Sequence, residues 1–271
     1  MMNSDYLDRF AGIGRLYGVN ALEAFHQSHV TVIGIGGVGS WVAEALARSG
    51  IGEITLVDLD EVCVTNINRQ LHALSSSVGQ SKVLVTADRL RDINPDIIVN
   101  EVEAFASHDN LNELFTERPD FVVDAIDTAG VKAAIISHCK RNKIPIITTG
   151  GAGGLIDPQR ISITDLTKTE HDPLAAKVRS ILKRHFGFSR SGRKFGVECV
   201  YSSEQARYPN SLGEVCATKQ FVDGDVRLDC SGGLGAATMV TASFGFAAAS
   251  RVLLKISERD ARARSESQIQ R

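Results

Sequence analysis

Two hydrophobic periods alternate through the first half of the chain. Residues 30–33, VTVI, are apolar or β-branched and uncharged, which predicts a short buried strand. Residues 40–49 then place Val42, Ala45 and Leu46 at helical spacing, with Arg48 suited to the last turn and Gly50 to end it. A second strand is expected at 54–57. A helix follows, entered at Ser81 and stopped by Asn94-Pro95. The same alternation predicts strands at 97–102, 121–126 and 144–149, a short helix at 111–115 and a longer one at 129–142. Residues 1–29 read as a helical arm. From 161 the character changes. ISITDL reads as a strand, Asp172-Pro173 as the N-cap and first residue of a helix to about 185, and 197–203 as a strand. Residues 212–229 read as a loop or crossover, and 236–254 as a buried or half-buried helix. The charged tail after Lys255 is expected to fray.

Strand–helix alternation from 30 to 150 implies a parallel sheet wound on both faces. The turn after the first strand adds chemistry. Gly34, Gly36 and Gly39 fit G-x-G-x-x-G, with Gly37 inside it. Glycine allows the tight turn, and the helix N-terminus behind it favours an anion. Asp58 closes the second strand, where a dinucleotide-type unit keeps its ribose-binding carboxylate. The fold class is therefore α/β, a Rossmann-like, doubly wound, largely parallel sheet with a mixed C-terminal extension. Its parts are an arm at 1–29, a nucleotide-binding half at 30–155, a second half of the same domain at 156–255 and a charged tail at 256–271.

Further polar residues fall at element ends. Asp60 follows Asp58. Asn66, Asn68, Arg69 and Gln70 interrupt the apolar run 62–74, and Arg69 can fork onto phosphate oxygens. Lys82 sits in a helical first turn, where a cation is disfavoured unless an anion is beside it. Asp124 and Asp127 end a buried strand. Asp127 suits Mg²⁺ on nucleotide phosphates, the N-cap of the next helix, or both. A basic run (Lys177, Arg179, Lys183, Arg184, Arg190, Arg193, Lys194) fits either a solvated face or a phosphate-backbone contact.

Composition narrows the classes. The net charge of −2 gives no whole-molecule attraction for nucleic acid, so only a local patch could provide it. Five cysteines at scattered spacing indicate neither a disulfide framework nor a C-x-x-C zinc site, and a reducing cytoplasm fits them. The start carries no apolar signal core. Residues 231–250 carry no charge and are about as long as a membrane span, yet they are rich in Gly, Ala, Ser and Thr. No stable membrane insertion is expected, and membrane association through 231–250 is the lesser alternative.

In this order, GIGGVG (34–39), DLDEVCVTNINRQ (58–70), VGQSKV (78–83), INP (93–95) and DAIDT (124–128) resemble the ubiquitin-activating-type adenylation family. The resemblance spans about residues 9–255. It implies ATP and Mg²⁺ as cofactors in the adenylation of a carboxylate. It gives Gly34, Gly36, Gly37 and Gly39 to the nucleotide, Asp58 to the ribose with Asp60 beside it, Asn66, Arg69 and Lys82 to the phosphates with Gln70 in the same ATP site, and Asp127 to the metal. It also implies a homodimer in which an N-terminal arginine, Arg15 or Arg9, reaches the partner's phosphates. Paired C-x-x-C zinc motifs are absent, so no zinc is expected. KTEHDPLAAKVRS (168–180), GVECVYSSE (196–204) and DCSGGLGAATMVTASFGF (229–246) look like the tRNA threonylcarbamoyladenosine dehydratase branch. That branch implies a modified tRNA as substrate, bound through the basic run and residues 156–255, and a cysteine desulfurase with its sulfur acceptor as a further partner. Cys230, before a glycine-rich turn, is a candidate catalytic thiol, although a cyclisation needs none. An adenylyltransferase for a ubiquitin-like sulfur carrier is the alternative. An NAD-dependent oxidoreductase is compatible with the glycines and Asp58, but it leaves Asn66, Arg69 and Lys82 without a purpose.

Overall fold

The computed structural model describes residues 2–210, 214–216 and 234–269. Helices α1 (Ser4–Tyr17) and α2 (Val19–His26) form the N-terminal arm. The alternating half follows as β1 (His29–Ile33), α3 (Gly39–Ala47), β2 (Glu53–Val57), α4 (Lys82–Ile93), β3 (Ile98–Val102), α5 (Leu111–Leu114), β4 (Phe121–Asp124), α6 (Ala129–Arg141) and β5 (Ile146–Thr149). The second half contributes β6 (Ile161–Asp165), α7 (Pro173–His185), β7 (Glu198–Ser202), the small pair β8 (Tyr208–Pro209) and β9 (Val215–Cys216), and α8 (Thr238–Ile269). The strands expected from β-branched runs and the helices expected from apolar spacing therefore form, with ends shifted by a residue or two, except that the last helix runs to Ile269 rather than 254; most of the loop expected at 212–229 lies outside the described residues.

One seven-stranded sheet runs β3-β2-β1-β4-β5-β7-β6. Every neighbouring pair is parallel except β6 and β7. The chain winds outward from β1 to β3, then returns to β4 on the other side of β1. That reversal opens a crevice at the carboxyl ends of β1 and β4. Alternate residues of each strand enter two cores. Val30 and Val32 join α3, α4 and α8 on one face, while Ile33 and Val122 join α6 and α7 on the other.

α8 is the longest element, with Val240, Phe244, Ala248, Val252 and Ile256 buried at every fourth position. Its close crossing with α3 requires Gly245, because a Cβ there would lie 2.7 Å from Trp41 Cβ. By length and composition α8 could cross a membrane, but more than half of its apolar window is buried inside the fold. Beyond Lys255 the helix continues to Ile269 instead of fraying. Arg259 pairs with Asp120 at 2.7 Å, and Arg264 with Asp260 at 2.8 Å and Glu23 at 3.3 Å. Two of those partners lie more than a hundred residues away in the chain, which is why the stretch reads locally as a solvated tail.

Candidate active site

The parallel register brings three loops to one edge. Ile33 pairs with Val57 on one side and with Asp124 on the other, so the segments after β1, β2 and β4 emerge together. Gly34 leaves β1 at φ +88°, and its N–H donates to Val57 O at 2.9 Å. The loop then folds back on itself so closely that a Cβ on Gly39 would sit 1.8 Å from Gly34 O. Only hydrogen fits there. Asp58 pins this loop: its Oδ2 accepts from Ile35 N at 2.7 Å, and its Oδ1 from Asp60 N at 2.9 Å.

The crossover after β2 lies over the glycines. A Cβ on Gly37 would meet Arg69 Cγ at 3.2 Å, and one on Gly36 would approach Gln70 Nε2 at 3.9 Å. Gln70 is buried, yet its Oε1 has no partner among the described residues. An acceptor left in that state costs about 1–3 kcal/mol. The Arg69 guanidinium is exposed and donates to Thr65 O at 2.7 Å and Asn68 Oδ1 at 3.1 Å. Its peptide oxygen accepts from Trp41 Nε1 and Thr241 Oγ1, while Asn68 Nδ2 donates to Ala236 O at 2.8 Å. The crossover is thus fastened to both α3 and α8. Asn66 is buried and accepts from Cys63 N at 3.0 Å, closing a turn of 3-10 helix.

Lys82 begins α4 and is only 5% exposed, unlike a solvated lysine. The anion that its position calls for is Asp60, whose Oδ2 lies 2.8 Å from Lys82 Nζ. Burial first, and the Lys82 charge second, push the His72 imidazole down to about 4. Asp127 is exposed after β4. It does not cap α6: Thr128 occupies the N-cap and makes no side-chain capping bond, so the expected capping role falls away. The close-folded glycine loop and the cations Arg69 and Lys82 at one strand edge fit a nucleotide polyphosphate, whereas the Gln70 Oε1 acceptor calls for a donor such as a hydroxyl or N–H group. Among the described residues no group of three or more His, Cys, Asp or Glu could share a metal ion. Asp127 is thus a single carboxylate, which suffices for a Mg²⁺ held mainly by phosphates and water.

The other candidate residues fall elsewhere. Arg9 is committed to Asp5 at 2.8 Å, whereas Arg15 is exposed at the end of α1 with no hydrogen bond or ion pair among the described residues. Arg179 is half-buried and holds Leu166 O and Thr169, so it braces the chain before α7. Lys177, Arg184, Arg190, Arg193 and Lys194 are exposed, and Lys183 is half-buried. α7 starts beside Gly151, at the carboxyl edge of the sheet, through Asp172. It therefore carries Lys183 to Lys194 toward the opposite edge, roughly 20 Å away. Cys230 lies outside the described residues. Cys139 and Cys199 are buried, which pushes both thiols up, Cys139 to about 12. Lys132, on α6, escaped the sequence reading. Its ammonium sits beneath the 124–127 turn, and the available signal was a lysine within an apolar helical stripe (Ala129, Ala133, Ile136).

A profile of the ThiF family matches residues 9–268. The chain belongs to the ThiF family. It is 53% identical to the Escherichia coli tRNA threonylcarbamoyladenosine dehydratase over 97% of this chain and 98% of that protein. The Haemophilus influenzae protein of the same description is 50% identical over 93% of this chain and 94% of its own. The E. coli enzyme in complex with ATP superposes with a TM-score of 0.87 at 49% identity, covering 97% of this chain and 99% of that one. The E. coli molybdopterin-synthase adenylyltransferase is 34% identical over 49% of this chain and 53% of its own. The Rossmann-like α/β fold expected from the sequence is the fold of these ThiF relatives.

Proposed function

We propose that this chain is an ATP-dependent tRNA threonylcarbamoyladenosine dehydratase. The observation that carries the reading is end-to-end similarity to enzymes of that name, together with a glycine loop, Arg69, Lys82 and Asp127 gathered at one strand edge. The threonyl carboxylate of the modified adenosine attacks the α-phosphorus of ATP and pyrophosphate leaves. An atom of the same modification then attacks the resulting acyl adenylate, closes a ring and releases AMP. The net change in the tRNA is loss of one water. Tethering supplies the high effective molarity that an enzyme thiol would otherwise have to replace. Arg69 and Lys82 offset charge as the phosphates separate, and Asp127 would hold a Mg²⁺ that would supply further positive charge there. The sulfur-carrier alternative has weaker support, since that similarity spans half the chain. Nucleoside mass spectrometry of tRNA incubated with protein and ATP tests the reading. It requires the threonylcarbamoyl nucleoside to lose one water, and an unchanged mass refutes it.

A second copy completes the site in this reading. Arg15 is taken as the residue supplied in trans, because it makes no hydrogen bond or ion pair among the described residues, and Arg9, in an exposed pair with Asp5, is the alternative. Leu16 and Val19 beside it are 74% and 67% exposed, an apolar corner suited to self-association. Mixing Arg15→Ala protomers with Asp127→Asn protomers should restore up to about a quarter of wild-type turnover, because one site of each mixed dimer is intact. No recovery on mixing would place Arg15 in its own subunit's site.

The basic run gives tRNA a track from the site along α7 to the far edge of the sheet. Substituting Arg184, Arg190, Arg193 and Lys194 by Ala should weaken tRNA binding at least tenfold and flatten its salt dependence by about 3 to 4 units of log slope, with ATP affinity unchanged. Wild-type salt slopes in such a variant would remove the run from the interface.

A further inference from the structure

Lys132 is one of the largest fully buried side chains, at 1% exposure. A buried ammonium is costly unless it is both hydrogen-bonded and paired with an opposite charge. Lys132 has two hydrogen bonds and one ion pair. Lys132 Nζ donates to Asp124 O at 3.2 Å and to Ile126 O at 2.9 Å, and lies 3.1 Å from Asp124 Oδ2. Asp124 is fully buried as well, and its Oδ2 also accepts from Thr148 Oγ1 at 2.7 Å. Both lysine hydrogen bonds go to backbone carbonyls of one short turn, 124–127.

That turn has two outward connections. Asp127 follows Ile126 directly. Ile126 is also the wall behind the glycine loop: a Cβ on Gly34 would meet Ile126 Cγ2 at 2.8 Å and Ile126 N at 3.0 Å. Ala125 N, in between, donates to Ile33 O at 2.9 Å. Hydrophobic packing would serve stability at this depth as well as an ion pair does. A buried lysine aimed at two carbonyls of a turn does something packing cannot, which is to set the direction of that turn.

We propose that Lys132 is a positioning residue: by gripping the carbonyls of Asp124 and Ile126 it fixes the turn that presents Asp127 and backs the glycine loop. It touches neither nucleotide nor tRNA. Its role in turnover rests on the reading of the chain as an adenylating dehydratase, while its role in ordering the turn does not.

Three variants separate this from a purely structural role. Lys132→Met strands the Asp124 carboxylate and is expected to destabilise the fold. Asp124→Asn with Lys132→Met removes both charges and keeps a side chain for Thr148. Asp124→Asn alone strands the buried ammonium and is also expected to lower stability, but where folded it keeps both lysine–carbonyl bonds in place. The double variant should melt within about 5 °C of wild type, yet show at least tenfold faster amide exchange in peptides covering 33–38 and 122–128, with α8 unchanged. Its kcat should fall at least tenfold while KM for ATP moves by less than about threefold, and Asp124→Asn alone should keep kcat within about threefold. A folded double variant with wild-type exchange at 122–128 overturns the proposal. A double variant that fails to fold also overturns it, because the lysine then acts through stability alone. If the wild-type protein releases no AMP with modified tRNA, the functional reading fails, and the exchange data still decide the role of Lys132.

Discussion

Replacing Lys82 with Met should lower kcat/KM for ATP-dependent tRNA dehydration roughly 100- to 1,000-fold, equivalent to about 3–4 kcal/mol of transition-state stabilisation. Two features set this magnitude. Lys82 is 5% exposed, so its charge acts across little water, and it sits at the first turn of α4 on the same edge as the glycine loop. Stability should hardly change. The partner left behind, the Asp60 side chain, is 52% exposed and regains water when the pair is broken. Pairs of that kind contribute about 1 kcal/mol or less. Pyrophosphate release measured beside a thermal melt separates the two effects. A variant that retains more than about a tenth of wild-type turnover would remove Lys82 from the phosphate chemistry.

The second large effect is structural. Gly39→Ala should destabilise the protein by roughly 3 kcal/mol and abolish measurable ATP binding. The added methyl carbon would lie 1.8 Å from Gly34 O and 2.9 Å from Gly34 C, both backbone atoms that no rotamer change can move aside. Relief requires the loop to open, which breaks the approach of its amides to a phosphate. Gly130→Ala is the control. Nothing lies within 4 Å of a Cβ there, and the position is inside α6, so a gain of up to about 1 kcal/mol is expected. Chemical denaturation of both variants checks the pair. Equal melting of Gly39→Ala and wild type would mean that the loop has slack which the structure does not show.

The unit from β1 to β2 was legible because its signals are local. A β-branched run, glycines at fixed offsets and an apolar stripe each lie within a dozen residues, and the structure repeats their order. What local pattern could not convey is the second partner of each polar group. Lys82 reads as a costly cation until Asp60, 22 residues earlier, is seen against it. Asp58 reads as a ribose ligand, and geometry adds its hold on Ile35 N. Arg179 reads as one more charge in a basic run, yet it turns inward onto Thr169. The stretch after Lys255 reads as frayed because Asp120 and Glu23 are remote in the chain. In each case the missing information is a pairing across the tertiary fold, which periodicity does not encode.

The fastening of the crossover to α8 also has a temporal side. Thr238 Oγ1 donates to Asn68 O at 2.7 Å, Thr241 Oγ1 to Arg69 O at 3.2 Å, and Asn68 reaches Ala236 O. A ribosome that has translated every glycine, lysine and aspartate of the pocket has therefore still not made the second of the two braces that hold Arg69 over them. Until then the crossover is fastened only through Trp41 of α3, and it gains its second anchor when the last long helix leaves the exit tunnel.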